Sequence, residues 1–145
     1  MRAARWPLAA CLVLAGCVAP AVDTGAFEHN ALGALESGVS TARVAAVALD
    51  ARAADRVTFA YANTVVTEAE DAIDPILASF GVVDPPDRSV DPLRREVLDH
   101  LGETGDLLAE ARIAVRRGDV RAMTDLADGL RRVADGMDQQ AEELS

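Results

Sequence analysis

Apolar residues recur every three or four positions over most of the chain after residue 28. This spacing places them on one face of an α-helix. The first stripe runs through Leu32, Leu35, Val39, Ala42, Ala46, Leu49 and Ala53, and continues through Val57, Tyr61, Val65, Ala69, Ile73, Leu77 and Phe80. Because neither Gly nor Pro interrupts residues 39–74, helix propensity alone predicts one long helix, with a kink at Pro75.

A second pair of stripes predicts an αα-hairpin over residues 92–144. Asp91 is the expected N-cap of its first helix, and Pro92 is the expected first helical residue, where the missing N–H is harmless. Gly118 is expected to end that helix and Asp119 to cap the next one. The apolar positions are Leu93, Val97, Leu101, Leu108, Ala111 and Val115 in one helix, and Met123, Leu126, Leu130, Val133, Met137 and Leu144 in the other. Two helices joined by so short a turn must pack antiparallel.

Helix length separates two interpretations of residues 28–80. Each arm of the hairpin is about 40 Å long, whereas an unbroken helix over residues 28–80 would reach about 80 Å. Half of its apolar stripe would then need a partner to cover it. A fold-back at residues 54–58, which gives four helices of matched length, is the preferred interpretation. The predicted fold class is therefore an all-α antiparallel bundle of three or four long helices that follows an N-terminal signal.

The N-terminus carries a targeting pattern. Arg2 and Arg5 precede an apolar segment at residues 8–16, which is shorter than the about 20 residues of a membrane-spanning helix and is typical of a secretory signal peptide. The segment runs into Leu14-Ala15-Gly16-Cys17, which resembles the lipobox of bacterial lipoproteins. This resemblance implies cleavage between Gly16 and Cys17, acylation of the Cys17 thiol, and anchoring at the extracytoplasmic face of the cell membrane, or at the outer membrane if the host has two.

Three segments follow from these patterns. Residues 1–16 are the predicted signal peptide, and residues 17–27 are the predicted lipidated N-terminus and flexible linker. Residues 28–145 are the predicted helical domain. Pro20, Gly25 and the lack of a helical period favour the linker. Because Cys11 is lost with the signal, the mature chain keeps Cys17 alone and has no thiol for a disulfide or a catalytic site.

Charge excludes one large class of partner. The formal net charge is −10, and removal of residues 1–16 takes away two arginines and no acid, so the mature chain has a net charge of −12. Nucleic acid binding requires basic surfaces, which this chain lacks. An anionic membrane surface repels such a chain, which leaves the lipid on Cys17 as its membrane contact. The cationic side chains are all Arg, and no Lys is present. In this bias the chain resembles small helical lipoproteins of actinobacteria.

Few side chains are candidates for chemistry. Glu96, His100 and Glu103 share a helix face and are the candidate metal ligands, but di-iron bundles use Glu-x-x-His twice, so a solvated polar face is the preferred interpretation. No Ser lies in a nucleophile elbow and no glycine-rich phosphate loop is present. No catalytic residue and no cofactor is therefore predicted. Phe59 and Tyr61 are expected to pack in the core near the fold-back, and the alternative is that they line a ligand cleft there.

These features together predict a membrane-anchored, exported and non-enzymatic module. Its expected partner is another envelope protein, or a further copy of the same chain. The alternative is a helical bundle that binds a small ligand or a divalent cation, in its interior or on its acidic face.

Overall fold

A computed structural model describes residues 21–145 of the chain; Gly16 and Cys17 lie outside them. The helices are α1 (Thr24–Ala53), α2 (Phe59–Gly81), α3 (Asp91–Arg117) and α4 (Val120–Glu143), and a short 3₁₀ turn at Arg88–Val90 precedes α3. No β-strand occurs between residues 21 and 145. The all-α bundle and the fold-back at residues 54–58 are therefore confirmed.

The first helix begins earlier than the sequence predicts. The Asp23 side chain accepts a hydrogen bond from the Ala26 backbone N–H at 2.8 Å and so caps α1 at Thr24. Residues 24–27, predicted to belong to the linker, are helical. The reason is Phe27, which is completely buried and packs against Phe80 with ring centroids 5.5 Å apart. Burial of this aromatic ring, together with the Asp23 cap, places the boundary of the bundle before residue 24.

The start of α3 also differs by one residue from the prediction. Asp91 is the first helical residue, and Val90 occupies the capping position without a side-chain hydrogen bond. The preceding 3₁₀ turn is itself capped by Asp87, whose carboxylate accepts a hydrogen bond from the Ser89 N–H at 2.7 Å. Hydrogen bonding from the Ser89 side chain, and then from its backbone N–H, lowers the pKa of Asp87 below its ordinary value. At the other end of α3, Gly118 and Asp119 form the turn to α4 as predicted.

The helices pack in an up-down-up-down order, because each turn reverses the direction of the chain. α1 packs most extensively on α4 and also contacts α3 across the bundle, so α2 and α4 lie on opposite sides of the α1–α3 pair. Gly38 marks the close approach of α1 to α4, since a Cβ atom there would lie 2.7 Å from the Met137 sulfur. The largest fully buried side chains are Phe27, Leu35, Leu49, Ile73, Leu101, Leu108, Met123, Leu130 and Met137. Residues 21–145 thus contain a hydrophobic core of their own.

Arginine ion pairs join neighbouring helices at the surface. The Arg112 Nε of α3 lies 2.6 Å from the Glu70 Oε2 of α2, and Arg131 of α4 contacts Asp50 of α1. The hydrogen bond to Glu70 raises the pKa of Arg112, and the one to Asp50 raises that of Arg131. Both guanidinium groups therefore stay charged over the whole physiological range, and both pairs fix the register between adjacent helices.

By length and composition, α1 also qualifies as a membrane-spanning helix, which is compatible with a signal sequence or a membrane anchor. However, half of its most apolar stretch is buried inside the bundle. Burial of this kind is typical of the core helix of a soluble domain. Along α2, helical structure continues through Pro75 to Gly81.

Candidate ligand groove between the first two helices

An open, mainly apolar depression lies between the outer faces of α1 and α2, near the turn that joins them. Its volume is about 450 Å³, within the range of ligand sites. We call it the α1–α2 groove. It is lined by Arg43, Val44, Val47, Ala48, Ala51, Val57, Tyr61 and Val65. Val44 and Val47 leave 55% and 65% of their surfaces exposed, so the groove presents apolar side chains to solvent.

Two smaller depressions lie farther along the same pair of helices. Both have volumes of about 290 Å³. The middle depression is lined by Ser40, Thr41, Val44, Val65, Glu68, Ala69 and Ala72. The depression nearest the start of α1 is lined by Asn30, Gly33, Ala34, Ser37, Ile76, Ser79, Phe80 and Val83. The seam between α1 and α2 is therefore open along most of its length.

The seam is open because α1 places a second stripe of residues along it. Gly33, Ser37, Ser40, Val44 and Val47 follow one another at steps of four and three, which is the repeat of one helix face. These side chains are small or short, so they leave space beside α2 that larger side chains would fill. The apolar character increases toward the turn, where valines replace serines.

Two charged side chains line the seam, Arg43 of α1 and Glu68 of α2. α2 carries Glu68, Glu70, Asp71 and Asp74 and no basic residue. On the α1 side, the Arg43 Nη2 lies 2.7 Å from the Asp138 Oδ2 and 3.3 Å from the Asp135 Oδ1, both on α4. The hydrogen bond to Asp138, and then that to Asp135, raises the pKa of Arg43. Its charge is thus neutralised within the bundle, and Glu68 is the carboxylate that lines the seam.

The structure does not bring the candidate metal ligands together. Glu96 is exposed and accepts a hydrogen bond from the Gln140 side chain at 2.7 Å, whereas the His100 ring packs beside Gly136 of α4. Glu103 is exposed. Within residues 21–145, no three His, Cys, Asp or Glu side chains are grouped closely enough to hold a metal ion. The predicted lipidation site at Cys17 and the cleavage site at Gly16 lie before the described part of the chain.

The expectation that Phe59 and Tyr61 pack in the core is wrong. Phe59 is 49% exposed and Tyr61 is 56% exposed. Tyr61 instead forms one wall of the α1–α2 groove. The amide N–H of Tyr61 donates to the Thr58 hydroxyl at 3.2 Å, which caps α2 at that point.

Sequence reasoning also missed Val44 and Val47. Both lie outside the stripe of α1 that is predicted to face the core. Their position off that stripe is the sequence signal that indicates an exposed apolar surface. Comparison of the chain with protein-family models, curated proteins and solved structures found no match.

Proposed function

We propose that this protein is a lipid-tethered, non-enzymatic binding module whose α1–α2 groove receives an amphipathic helix of another envelope protein. The observation that carries the proposal is the groove itself. It combines a volume of about 450 Å³ with exposed valines and an exposed tyrosine. Contiguous apolar surface of this kind on a folded domain is typical of an interaction site.

The length of the seam favours a helix over a small molecule. From Gly33 to Ala51 the seam follows α1 for about 27 Å, at 1.5 Å per residue, which corresponds to about 18 residues of a ligand helix. An apolar face with a helical repeat would lie along the small side chains of α1 and against Tyr61 and Val65. A drug-sized molecule would occupy only the end next to the turn.

Charge favours a basic helix as the occupant. Glu68 lines the middle of the seam, and Asp71 and Asp74 are exposed on the same helix. Glu70 is already paired with Arg112. An Arg or Lys residue that flanks the apolar face of the ligand would meet the Glu68 carboxylate, which sets the orientation of the helix and speeds its association.

The tether is supported by the lipobox-like Leu14-Ala15-Gly16-Cys17. A single acyl chain holds a protein to a membrane only marginally, so two or more chains on Cys17 would be needed for a durable anchor. Val47, at the centre of the groove, lies about 35 Å along α1 from Thr24. A helix bound there would stand clear of the lipid headgroups.

The proposed lipid anchor predicts that substitution of Cys17 abolishes membrane attachment and that substitution of Cys11 does not. Replacing Cys17 by serine should move the protein from the membrane fraction to the soluble fraction, because the serine hydroxyl is not an acceptor for lipidation. Cys11→Ser should leave membrane attachment unchanged, since that residue is removed with the signal. Fractionation of cells that express each variant is the measurement. Membrane attachment of Cys17→Ser would contradict the lipid anchor.

The groove predicts selective binding of a basic amphipathic helix. The probe is a synthetic 18-residue helical peptide with an Ala/Leu face and Lys flanks, titrated against residues 18–145 by fluorescence anisotropy. Val47→Glu should weaken binding by about tenfold or more, because it places a charge in the apolar floor. Val120→Glu is the matched control, since Val120 is 54% exposed but lies outside the groove.

Three results would contradict the groove proposal. One is equal affinity for a peptide with Glu flanks in place of Lys, because the charge argument would then fail. Another is equal loss of binding in Val47→Glu and Val120→Glu. The third is binding of a small apolar dye in the groove without any binding of the helix, which would favour the alternative function of a small-ligand carrier.

A further inference from the structure

The turn between α1 and α2 has an unusual residue at its critical position. The Asp55 N–H donates to the Arg52 carbonyl at 3.0 Å and the Arg56 N–H donates to the Ala51 carbonyl at 2.8 Å. This pair of hydrogen bonds is a Schellman motif, which requires a left-handed backbone at its central residue. Asp55 fills that position with a φ of 54°. A residue with a Cβ is strained there relative to glycine.

The turn between α3 and α4 provides an internal comparison. It has the same two hydrogen bonds, from Gly118 to Val115 at 3.1 Å and from Asp119 to Ala114 at 3.1 Å. Its left-handed residue is Gly118, with a φ of 64°. The molecule therefore builds one motif twice, with glycine in one turn and aspartate in the other. The left-handed conformation is therefore less favourable in the α1–α2 turn than in the α3–α4 turn.

The residues of the α1–α2 turn also suit a continuous helix. Residues 39–74 contain neither Gly nor Pro, and residues 51–56 consist of Ala, Arg and Asp. The fold-back is held by Arg52, whose Nη1 lies 2.7 Å from the Asp55 Oδ1 and 3.3 Å from the Val57 carbonyl oxygen. Next to the turn, the buried Arg52 Nε and Asn63 Oδ1 have no hydrogen-bond partner. The bent state therefore leaves polar groups unsatisfied on both sides of the turn.

We propose that residues 54–58 are a hinge through which two copies of this chain exchange their first helices. In the exchanged dimer, α1 and α2 form one helix over residues 24–81, about 87 Å long. Each α1 makes its contacts with α2, α3 and α4 of the other copy, so the packing of the core is retained. Only the hinge changes conformation, which is the usual requirement for domain swapping.

Exposed apolar side chains lie on both sides of the hinge. Val44 and Val47 precede it, and Phe59 and Tyr61 follow it. When the hinge straightens, the two long helices pass each other antiparallel, so Val44 and Val47 of one copy lie beside Tyr61 of the other, as they do within the monomer. The exchanged dimer therefore retains the α1–α2 groove between α1 of one copy and α2 of the other, and it forms without any further ligand.

Substitutions at Asp55 should move the monomer–dimer equilibrium in opposite directions. Asp55→Ala should raise the dimer association constant on the order of tenfold or more, because alanine is disfavoured in the left-handed turn and favoured in the helix at both hinges of the dimer. Asp55→Gly should lower it by a similar factor, since glycine relaxes the turn and weakens the helix. Asp99→Ala, which removes an exposed aspartate from α3, is the matched control and should have no effect.

The measurement uses residues 18–145, which contain the whole core described above, refolded at high concentration. Light scattering during gel filtration gives the monomer and dimer fractions, and small-angle X-ray scattering gives the maximum dimension of the dimer. An exchanged dimer should extend to about 90 Å or beyond because of its continuous helix. Exclusively monomeric protein for the parent chain and all three variants would overturn the proposal. A dimer fraction that is unaffected by substitution of Asp55, or a dimer no longer than the monomer, would also overturn it.

Discussion

Replacing Phe27 by alanine is expected to lower the free energy of unfolding by about 4 kcal/mol. Phe27 is completely buried, and its ring packs on Phe80 between the start of α1 and the end of α2. Truncation removes the apolar surface of the ring and leaves a cavity that the ends of two helices cannot close without shifting. For a domain of this size, whose total stability is about 5–15 kcal/mol, such a loss is a large fraction.

Phe59→Ala is the matched control for this prediction. Both are phenylalanine to alanine changes near the start of a helix, but Phe59 is 49% exposed. Its substitution should cost less than about 1 kcal/mol. Urea denaturation followed by circular dichroism measures both values. Equal effects of the two substitutions would contradict the burial of Phe27 and the start of the bundle at Thr24.

Replacing Gly38 by leucine is expected to destabilise the bundle by about 3 kcal/mol. A Cβ atom at this position would lie 2.7 Å from the Met137 Sδ and 3.0 Å from the Leu101 Cδ2. Met137 can adjust to a single methyl group, because its side chain is flexible. A leucine side chain needs more space than this adjustment provides, so α1 must move away from α4 and the core between them must repack.

Gly33→Leu separates this steric effect from helix propensity. Gly33 lies in the same helix, and no atom lies within 4 Å of the position that its Cβ would take. Leucine is a better helix former than glycine, so Gly33→Leu should stabilise α1 by up to about 0.8 kcal/mol. Thermal unfolding of both variants, compared with the parent chain, gives the two shifts. A melting temperature that falls equally in both would show that the close approach at Gly38 has no special effect.

The fold was largely predictable from the sequence because its signals are local. Asp119 caps α4 and Gly118 adopts the left-handed conformation, as their chemical character suggests. The fold-back at residues 54–58 required an argument from length, since no residue in that segment breaks a helix. Asp55 adopts the left-handed conformation there because packing of α2 on α1 and α3 outweighs the local preference of the segment.

The groove was not predictable in the same way. Periodicity assigns each apolar residue to a face, but it does not state which faces find a partner. Tyr61 and Val65 continue the core stripe of the sequence, yet they line the groove because a new helix begins at Phe59. The start of α1 was missed for a related reason: a single aromatic residue, Phe27, is too short a pattern to show helical periodicity, although its burial determines where the bundle begins.

The up-down-up-down order has a practical consequence for labelling the protein. The start of α1 and the end of α4 lie at the same end of the bundle, and the two turns at residues 54–58 and 118–119 lie at the opposite end. A fluorescent domain inserted after Gly118 would therefore project from the end of the bundle that carries the two turns. A domain fused to Ser145 would instead lie at the end that carries residue 24. Under the lipid tether proposed above, distances measured by energy transfer from the inserted domain to a labelled membrane would report how upright the bundle stands.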